Sequence, residues 1–455
     1  MLKKLLNYLE NKTILILGFG KEGESTYNFL RGNFPEKKLF IADKNKEIIN
    51  THVALMEDIN LELSLGEGYL NGIDKYDLII KAPGISFKGI DISKFQSKLT
   101  SQLELFLEYI DIKTIGITGT KGKSTTSTLM YQILKDQNYS TFLIGNIGQP
   151  IFNKILEMNE KSVVVIELSS HALEYVKKSP NIAILLNIYE EHLDHYDSLE
   201  KYIAAKFNVA KFQTEQDFFI YNDNNLLIKN YGFNFKKNDY KVTIENIENE
   251  LGNKVYIKEN NIYCNDVFFM KTSQKMNLRG MHNINNIMFL IAIANILKLD
   301  IPKMLKTIEE FKPLEHRMEF VGKVDDVYYY NDSIATIPES TINSIEAIEN
   351  INTLIVGGKD RGINLDEFCI YLNESEISNI ICIHKTGEYI YNKLDKRNKK
   401  VYRTDDLKEA VKIAKEVTSK GKVCLLSPAA SSYGYFKNFE ERGTLYKEYV
   451  KTKQR

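Results

Sequence analysis

The sequence has no surplus of charge of either sign, because 60 Lys and Arg residues balance 60 Asp and Glu residues. That balance excludes the strongly basic composition typical of nucleic-acid-binding and membrane-surface proteins. No run reaches the ~18 to 20 apolar residues of a membrane span, and the apolar run near the start is too short for a signal peptide. We therefore expect a small-molecule partner, no nucleic acid and no membrane insertion.

Cysteine is also scarce. The four cysteines, Cys264, Cys369, Cys382 and Cys424, are scattered without a CxxC pair. This spacing indicates neither a disulfide framework nor a zinc site. Three of them lie in apolar runs, which is typical of reduced, buried thiols in a cytoplasmic protein. Tryptophan is absent altogether, and its absence carries no functional information.

Internal repeats and low-complexity tracts are lacking as well, yet 455 residues are too many for one hydrophobic core. Chain length alone predicts about three domains. Apolar strand-like runs alternate with helical segments throughout, which predicts an α/β fold with mostly parallel sheets. We predict a Rossmann-like domain at 1–98, a central P-loop domain at 99–313 and a second Rossmann-like domain at 314–455, with a linker at Lys312 and Pro313 and a cleft where the domains meet.

The stretch TIGITGTKGKST, residues 114–125, is the strongest single signal in the chain. A β-branched strand leads into glycines at 119 and 122, and Lys123 then opens a helix. Converging backbone N–H groups, the helix N-terminus, the Lys123 ammonium and a hydroxyl of Ser124 or Thr125 would together bind phosphate and Mg²⁺. Ile117 stands where the strict P-loop spacing requires glycine, so this is a variant of that motif. A glycine turn without a ligand remains the alternative.

Two further strand ends at the N-terminal side carry turn residues. The run TILIL, residues 13–17, ends in a GxGxxG loop from Gly18 to Gly23, and the strand LFIAD ends in Asp43. This pattern fits any nucleotide diphosphate as well as a dinucleotide, and glycines that serve only helix–strand packing are the alternative. Pro83 and Gly84 end a third strand at the same predicted edge.

Three groups in the central segment carry possible chemistry. Glu167 ends the apolar strand SVVVIEL, which should lie beside the P-loop strand and favours a Mg²⁺ ligand. His192 and Asp194 follow the strand IAILLNI, where an exposed acidic loop is the alternative. Lys206 lies on a helix, where a lysine is ordinarily solvated or snorkels towards solvent. Residues 231–279 are predicted to be an antiparallel insertion.

In the last segment, Arg317 and Lys359 are candidates for binding anionic groups, by a bidentate fork and as a point charge respectively. Either could instead be an ordinary surface charge. Glycine-rich or polar turns follow the predicted strands at Asn331, Gly357 and Ser427.

A series of motifs occurs in one order along nearly the whole chain. They are TGTKGKST, IELSS, NIYEEHLDHY, the helix of Lys206, GMHNINN, LEHRMEF, NDSIAT, VGGKDRG and LLSPAASSYGYFKNFEERG. This order resembles that of the Mur ligases, the ATP-dependent amide-forming enzymes of peptidoglycan synthesis. The last motif and NDSIAT are most similar to the member that adds D-glutamate.

The resemblance implies that ATP phosphorylates the carboxylate of UDP-N-acetylmuramoyl-L-alanine, and that the amine of D-glutamate attacks the acyl phosphate. It implies two Mg²⁺ ions. Independently of the resemblance, we expect a monomer. Lys123, His192 and Lys206 match catalytic positions, with Lys206 carbamylated by CO₂ to give an anionic metal ligand. The positions matched to the metal are Ser124, Glu167, His192 and Lys206. The positions matched to ATP are Gly119, Thr120, Lys121, Gly122, Lys123, Ser124, Thr125, Asn283, His316, Arg317 and Asp332.

The resemblance also assigns residues to the two substrates. The positions matched to the UDP-muramoyl substrate are Gly20, Lys21, Glu22, Gly23, Asp43, Gly84 and Asn146. The positions matched to D-glutamate are Thr336, Lys359, Ser432 and Phe439. The chain departs from the family pattern at Lys121, where many relatives have Asn, at Ile334, where some have Lys, and in the residues after Asp43.

Three other functions stay open at this point. The first is a related ligase that adds another amino acid or joins glutamate to folate. The second is an NAD-dependent dehydrogenase built on the GxGxxG loop, which leaves the P-loop unexplained. The third is a nucleotide-binding switch without catalysis.

Overall fold

The computed structural model describes residues 2–191, 195–278, 280–312 and 314–452, and only the backbone of Thr51 and Ala54. His192, Asp194 and Pro313, which the sequence analysis singled out, lie outside the described residues. The three predicted α/β sheets are present, each built mainly of parallel strands. The α/β fold class is thus confirmed.

The N-terminal sheet has five parallel strands, which are β1 (Ile14–Leu17), β2 (Leu39–Asp43), β3 (Leu61–Leu65), β4 (Leu78–Lys81) and β5 (Leu99–Thr100). Their order is β3-β2-β1-β4-β5. Successive strands are thus added on one side of β1 up to β3 and then on its other side from β4, so the strand order reverses between β1 and β4. In such sheets, ligands bind at the carboxyl ends of the strands near this reversal. The accompanying helices are α1 (Lys3–Glu10), α2 (Lys21–Asn33), α3 (Ile48–Thr51) and α4 (Ala54–Glu57).

The central sheet has nine strands in the order β14-β13-β12-β11-β10-β9-β6-β8-β7. They are β6 (Lys113–Thr118), β7 (Thr141–Gly145), β8 (Val163–Glu167), β9 (Ile182–Leu185), β10 (Phe218–Asn222), β11 (Tyr240–Thr243), β12 (Asn253–Lys258), β13 (Asn261–Cys264) and β14 (Val267–Lys271). The P-loop strand β6 lies between β8 and β9, so the loop at its carboxyl end is flanked by the ends of two parallel strands.

The prediction of an antiparallel insertion after residue 231 is only partly correct. β11 and β12 continue the parallel sheet from β10, and only β13 and β14 run antiparallel. The helices of this segment are α5 (Gln102–Tyr109), α6 (Lys123–Asp136), α7 (Ile151–Lys154), α8 (Ser170–Leu173), α9 (Leu199–Lys211), α10 (Leu226–Lys229), α11 (Met281–Leu297) and α12 (Ile301–Glu310).

The C-terminal sheet has six strands in the order β15-β16-β20-β17-β18-β19. They are β15 (Glu319–Val324), β16 (Val327–Asn331), β17 (Ile351–Val356), β18 (Asn379–Ile383), β19 (Lys400–Thr404) and β20 (Val423–Leu426). β15 pairs antiparallel with β16, and the other neighbours are parallel. The helices are α13 (Pro338–Ala347), α14 (Asp366–Glu374), α15 (His384–Lys393), α16 (Leu407–Val417) and α17 (Phe439–Lys451).

Tertiary contacts divide the chain into two compact units. The first unit comprises residues 1–274 and 285–308, and it therefore contains both the N-terminal and the central sheet. The second unit comprises residues 275–284 and 309–455 and contains the C-terminal sheet. The boundaries predicted at 98/99 and 313/314 remain predictions.

The cores of both units are apolar, and all four cysteines are free and buried within them. None of the helices in the described ranges combines the length and the apolar character needed to cross a bilayer.

Candidate functional site

The glycine-rich loop between β6 and α6 is held by the strand next to it. The Thr120 N–H donates to the carbonyl of Asn187 at 2.9 Å. The side chain of Asn187 accepts from the Lys121 N–H at 2.8 Å and donates to the Lys121 carbonyl at 3.0 Å. The Thr120 hydroxyl lies 2.9 Å from the Tyr202 hydroxyl. Since the loop is fixed in this way, its backbone geometry does not have to be assembled when a ligand arrives.

Glycine is required at position 122, directly before α6. Its φ of +87° lies in the left-handed region, and a Cβ there would stand 2.6 Å from Asn286 Oδ1. No side chain caps the N-terminus of this 14-residue helix. Its first N–H groups and the positive end of its dipole therefore favour an anion. The strand, glycine turn and helix predicted from the sequence are all present.

Two lysine amines converge on one carbonyl oxygen of this loop. Lys123 Nζ donates to the Gly119 carbonyl at 2.8 Å, and Lys206 Nζ, from α9, donates to the same oxygen at 2.9 Å. The side chain of Lys206 is only 2% exposed. Burial, followed by the charge of Lys123, holds the pKa of Lys206 well below its usual range, while Glu191 opposes this effect. The expectation of a solvated or snorkelling Lys206 is therefore wrong.

Glu167 ends β8 beside the P-loop strand, as predicted, with Ile117 of β6 as its neighbour in register. Its side chain is 1% exposed, and Oε1 accepts a hydrogen bond from Asn146 Nδ2 at 2.8 Å. Its second oxygen, Oε2, is buried and has no hydrogen-bond partner among the described residues. A buried carboxylate oxygen without a partner is costly, and a hard divalent cation is a ligand that would satisfy it. Glu167 thus fits the Mg²⁺ role that the sequence predicts.

The acidic segment after β9 also contributes an ion pair to the P-loop. Glu191 Oε1 accepts from Lys121 Nζ at 3.3 Å. His195, further along, pairs with Glu174 at 3.0 Å. The predicted roles of His192 and Asp194 stay predictions, because both residues lie outside the part of the chain that the structure describes.

The GxGxxG loop of the N-terminal sheet is also fixed by its neighbours. Asp43 accepts hydrogen bonds from the Phe19 N–H at 2.6 Å and from the Asn45 N–H at 2.7 Å. A Cβ at Gly23 would stand 2.1 Å from the Gly18 carbonyl, so only glycine allows α2 to approach the strand end this closely. Asp43 therefore holds the loop in place by accepting hydrogen bonds from its backbone and from the segment that follows β2. Its contact with uridine stays a prediction.

A cavity of about 200 Å³ opens between this loop and the central sheet, within the first unit. Predicted substrate residues line it from two directions. Lys21 and Glu22 come from the N-terminus of α2, while Asn146 and Glu167 come from the ends of β7 and β8. Lys81 lines the cavity as well. Gly84 is exposed and follows Pro83, which is itself a lining residue.

In the second unit, two predicted ATP-contacting residues are tied into the fold. Asn331 Nδ2 lies 2.9 Å from His316 Nδ1, and because the amide donates, Nδ1 of the imidazole accepts. Asp332 is 4% exposed and accepts from the hydroxyls of Ser344 and Ser427 at 2.7 and 2.8 Å. Burial raises the pKa of Asp332 to about 6, against the lowering effect of those hydroxyls. Asn283 is buried in this unit.

The motifs predicted to bind D-glutamate are joined by one buried arginine. Arg442 donates to the Ser333 carbonyl at 2.7 Å and to the Ala430 carbonyl at 3.1 Å. It thereby links the loop that leads to Thr336 with the loop that contains Ser432. The Ser333 hydroxyl donates to the Phe439 carbonyl at 2.8 Å. The Lys359 N–H donates to the Ser431 carbonyl at 2.8 Å, and the Lys359 side chain is exposed.

Sequence reasoning missed several supporting residues. Asn187 and Lys81 are polar residues at the ends of otherwise apolar runs, and this pattern is the sequence signal that indicates them. Tyr202 lies one turn before Lys206 on α9, and its ring centroid lies 4.8 Å from the Lys206 amine. Arg442 lies within the last motif, but its burial could not be predicted, because its partners are distant in sequence.

The fold and this site define a three-sheet α/β protein with a P-loop variant and, beside it, a buried acid with one oxygen that has no hydrogen-bond partner among the described residues. Comparison with known protein families identifies the family to which the chain belongs. The Mur ligase middle domain model matches residues 117–294, and the Mur ligase, glutamate ligase domain model matches residues 316–430. The chain belongs to the Mur ligase family, which confirms the resemblance.

Individual relatives match over nearly the whole length. The UDP-N-acetylmuramoylalanine–D-glutamate ligase of Clostridium tetani is 32% identical, with 98% of this chain and 97% of the relative covered. The enzyme of the same name from Clostridium acetobutylicum is 33% identical, with 98% of each chain covered.

Solved structures share the fold at lower identity. UDP-N-acetylmuramate-alanine ligase MurC from Thermotoga maritima matches with a TM-score of 0.60 at 19% identity, over 96% of this chain and 99% of that one. MurF from Acinetobacter baumannii matches with a TM-score of 0.61 at 15% identity, over 95% of this chain and 93% of that one.

Proposed function

We propose that this chain is an ATP-dependent ligase that joins D-glutamate to UDP-N-acetylmuramoyl-L-alanine, in the cytoplasm and in the service of peptidoglycan synthesis. The observation that carries the choice of substrates is the near-full-length similarity to ligases named for that reaction, at 32% and 33% identity. The products are the amide, ADP and phosphate.

The chemistry requires an activated carboxylate, because a carboxylate is a poor acceptor for an amine. The carboxylate oxygen of the alanine residue attacks the γ-phosphorus of ATP, and ADP leaves with the electron pair of the broken P–O bond. The amine of D-glutamate then attacks the acyl carbon, loses a proton and expels phosphate. Holding the reactants in one site makes this attack effectively unimolecular.

The P-loop residues suit the nucleotide part of this reaction. The backbone N–H groups from Gly119 to Gly122 and the N-terminus of α6 would hold the phosphates, while Lys123 would neutralise charge as the phosphoryl group moves. Ser124 and Glu167 would hold Mg²⁺. When bound, the ion screens the phosphate oxygens and stabilises charge that develops during transfer.

We propose that Lys206 is carbamylated. Its buried amine, with a pKa well below the usual range, is populated in the neutral form that can attack CO₂. The ammonium first gives up one proton, the neutral nitrogen then forms a bond to the carbon of CO₂ while the electron pair of one C–O π bond moves to oxygen, and the nitrogen loses a second proton. Overall, a cation becomes an anion. The change would remove the repulsion between Lys206 and Lys123, and it would supply oxygen ligands for a second Mg²⁺.

For the acceptor, we propose that Lys359 pairs with a carboxylate of D-glutamate. Its exposed side chain extends from the segment that is bonded to Ser431, next to the buried Ser432. Thr336 and Phe439 complete the proposed amino-acid site. Ile334 supplies no charge here, so the specificity would depend on Lys359 and on backbone groups.

The deciding experiment measures phosphate release from ATP and Mg²⁺ with UDP-N-acetylmuramoyl-L-alanine and one of four acceptors: D-glutamate, L-glutamate, L-lysine or meso-diaminopimelate. We expect release with D-glutamate only. Release with another acceptor would keep the ligase chemistry and overturn the choice of amino acid. Absence of release with all four would overturn the proposal and favour a folate-type ligase or a nucleotide-binding switch.

A further inference from the structure

Lys81 is a buried ammonium group that no motif accounts for. It is the last residue of β4, and its side chain is only 5% exposed. Its Nζ lies 3.4 Å from the carbonyls of Ala82 and Pro83, which are long contacts. Among the described residues, no carboxylate oxygen lies within 4 Å of it. A buried cation without a close counter-ion is costly unless a ligand compensates it.

The surroundings of Lys81 allow it to remain charged and to face a ligand. The ring centroids of Tyr175 and Phe87 lie 5.4 and 6.0 Å from Nζ, so the aromatic faces favour the cation. Burial lowers the pKa of Lys81 to about 8, and Glu174 and Glu22 oppose that effect. Both Lys81 and Tyr175 line the cavity of about 200 Å³.

The N-terminus of α2 borders the same cavity. β4 pairs with β1, which puts Lys81 in register with Leu17, directly before the glycine loop that leads into α2. α2 has 13 residues and no side-chain cap, and its first backbone hydrogen bond is from the Glu24 N–H to the Gly20 carbonyl. Lys81 and the N–H groups at the start of α2 thus approach the cavity from adjacent strand ends.

Because Glu22 also lines this cavity, an anionic ligand needs a nearby cation to offset the negative charge of the Glu22 carboxylate. Its carboxyl lines the cavity beside the helix N-terminus, and burial raises its pKa to about 7 while Lys81 lowers it. A carboxylate there would repel an anionic ligand. Lys81 offsets that repulsion and leaves the helix N-terminus with a net attraction for an anion.

We propose that Lys81 binds the diphosphate of the nucleotide-linked substrate, together with the N-terminus of α2. This inference rests on the substrate class proposed above. The diphosphate is the group of that substrate that fits here, because it is the most highly charged anionic part and the helix N-terminus is suited to phosphate oxygens. Lys81 is therefore a substrate-binding residue in addition to Gly20, Lys21, Glu22 and Gly23.

The test compares the affinity of the protein for UDP and for uridine, which lacks phosphate. In the wild-type protein we expect UDP to bind more tightly. Lys81→Met should weaken UDP binding by about tenfold or more, as expected for the loss of a hydrogen bond between charged groups, and leave uridine binding unchanged. Lys81→Arg should retain most of the preference for UDP. Lys75→Met is the matched control, because Lys75 is exposed and precedes β4 at the opposite end of the strand.

Equal losses for UDP and uridine in Lys81→Met would overturn the proposal, because they would indicate a structural role. If that variant does not fold, the wild-type protein can be acetylated lightly and the modification of Lys81 and Lys75 followed by mass spectrometry. Protection of Lys81 by UDP and not by uridine supports the proposal, and equal modification with both overturns it. Tight UDP binding without D-glutamate ligation would overturn the proposed reaction and leave the assignment of Lys81 intact.

Discussion

At the scale of single residues, the site contains two unfavourable features. Two lysine amines donate to the same carbonyl oxygen, and one carboxylate oxygen has no hydrogen-bond partner among the described residues. Lys206 and Lys123 share one carbonyl oxygen, whereas Oε2 of Glu167 is buried without a hydrogen bond among the described residues. Both features are unfavourable in isolation, because buried charges and buried acceptors need partners. They are the features that a bound nucleotide, metal ion or carbamate would relieve.

Lys206→Ala should reduce ligation by about 1,000-fold or more, because it removes the proposed metal-ligand group from the reacting centre. Added acetate or another short-chain acid should restore part of the rate by replacing the carbamate. The measurement is phosphate release under saturating substrates. Lys211→Ala is the control, because Lys211 is exposed and ends the same helix. A near-normal rate for Lys206→Ala would exclude the carbamate role.

Glu167→Gln should lower the ligation rate by about 100-fold or more and shift the Mg²⁺ dependence to higher concentrations. The amide removes the negative charge but can keep the hydrogen bond to Asn146. The rate is measured across a MgCl₂ titration, with the exposed Glu160→Gln as control. An unchanged Mg²⁺ requirement would remove Glu167 from the metal site.

At the scale of secondary-structure elements, the P-loop depends on β9 for its shape. Asn187, just after β9, makes both a donor and an acceptor contact with the backbone of Lys121. Asn187→Ala should reduce the free energy of unfolding by about 1 to 3 kcal/mol and weaken ATP binding, because two backbone groups lose their partner. Asn187→Asp keeps the acceptor oxygen, so its free energy of unfolding and its affinity for ATP should lie between those of the wild-type protein and Asn187→Ala.

The measurements for this prediction are urea unfolding and the ATP dissociation constant, with the exposed Asn230→Ala as control. Normal ATP affinity in Asn187→Ala would mean that the loop holds its conformation without β9.

Asp332 joins three elements of the C-terminal sheet region, because it directly follows β16 and accepts hydrogen bonds from Ser344 on α13 and Ser427 after β20. Its pKa is raised from 3.8 to about 6, so the folded protein holds the proton more tightly than the unfolded chain does. The contribution of this group to stability is therefore fully present below the unfolded pKa and falls as the pH rises through 6, by a total of about 3 kcal/mol.

Urea unfolding of the wild-type protein and of Asp332→Asn between pH 4.5 and 7.5 tests the direction in which stability changes with pH. The stability of the wild-type protein relative to the variant should decrease as the pH rises. An increase over that range would mean that the hydroxyl contacts outweigh burial and that the pKa is not raised.

The sequence predicted those strands that are continuous apolar runs, including β1, β6, β8, β9 and β20. It missed four others for physical reasons. β3 alternates in exposure, β5 has only two residues, β11 has four residues with a lysine among them, and β15 is largely half-exposed at a sheet edge. The parallel pairing of β11 and β12 was also missed, because the direction of pairing depends on partners that are distant in sequence.

For the site, the apolar strand that contains Glu167 was predicted to lie beside the P-loop strand, and the two strands are neighbours in the sheet. The metal-binding role of Glu167 stays a prediction. The burial of Lys206 could not be predicted from helical periodicity alone, because it depends on how α9 packs against the loop after β6. The burial of Arg442 could not be predicted for the same reason, whereas Lys81 carries a sequence signal as the polar end of an apolar strand.

At the scale of the whole molecule, the first two predicted domains share one compact unit. One reason is that their helices pack together: Gln102 on α5 donates to the Glu22 carbonyl at 2.8 Å, and the rings of Phe29 and Phe152 stack with centroids 4.3 Å apart. Contacts of this kind leave no periodicity in the sequence. The P-loop and Lys359 belong to different units.

That separation predicts independent effects on the two ligands. Lys359→Ala should raise the KM for D-glutamate by about tenfold or more, because a charged contact in the ground state is lost, and should change the KM for ATP much less. Steady-state kinetics with each substrate varied in turn provides the test, and Lys420→Ala is an exposed control in the same unit. Equal effects on both constants would remove Lys359 from the amino-acid site.

The division of the chain also has a consequence for biosynthesis. The first unit includes residues 285–308, whereas the preceding ten residues, 275–284, belong to the second. A nascent chain therefore cannot complete its first unit when residue 274 leaves the ribosome, and residues 275–284 must await partners that are synthesised later. Messenger truncation near residue 274 would release a fragment without two of the helices that finish its own core, so we expect such fragments to be targets for proteolysis.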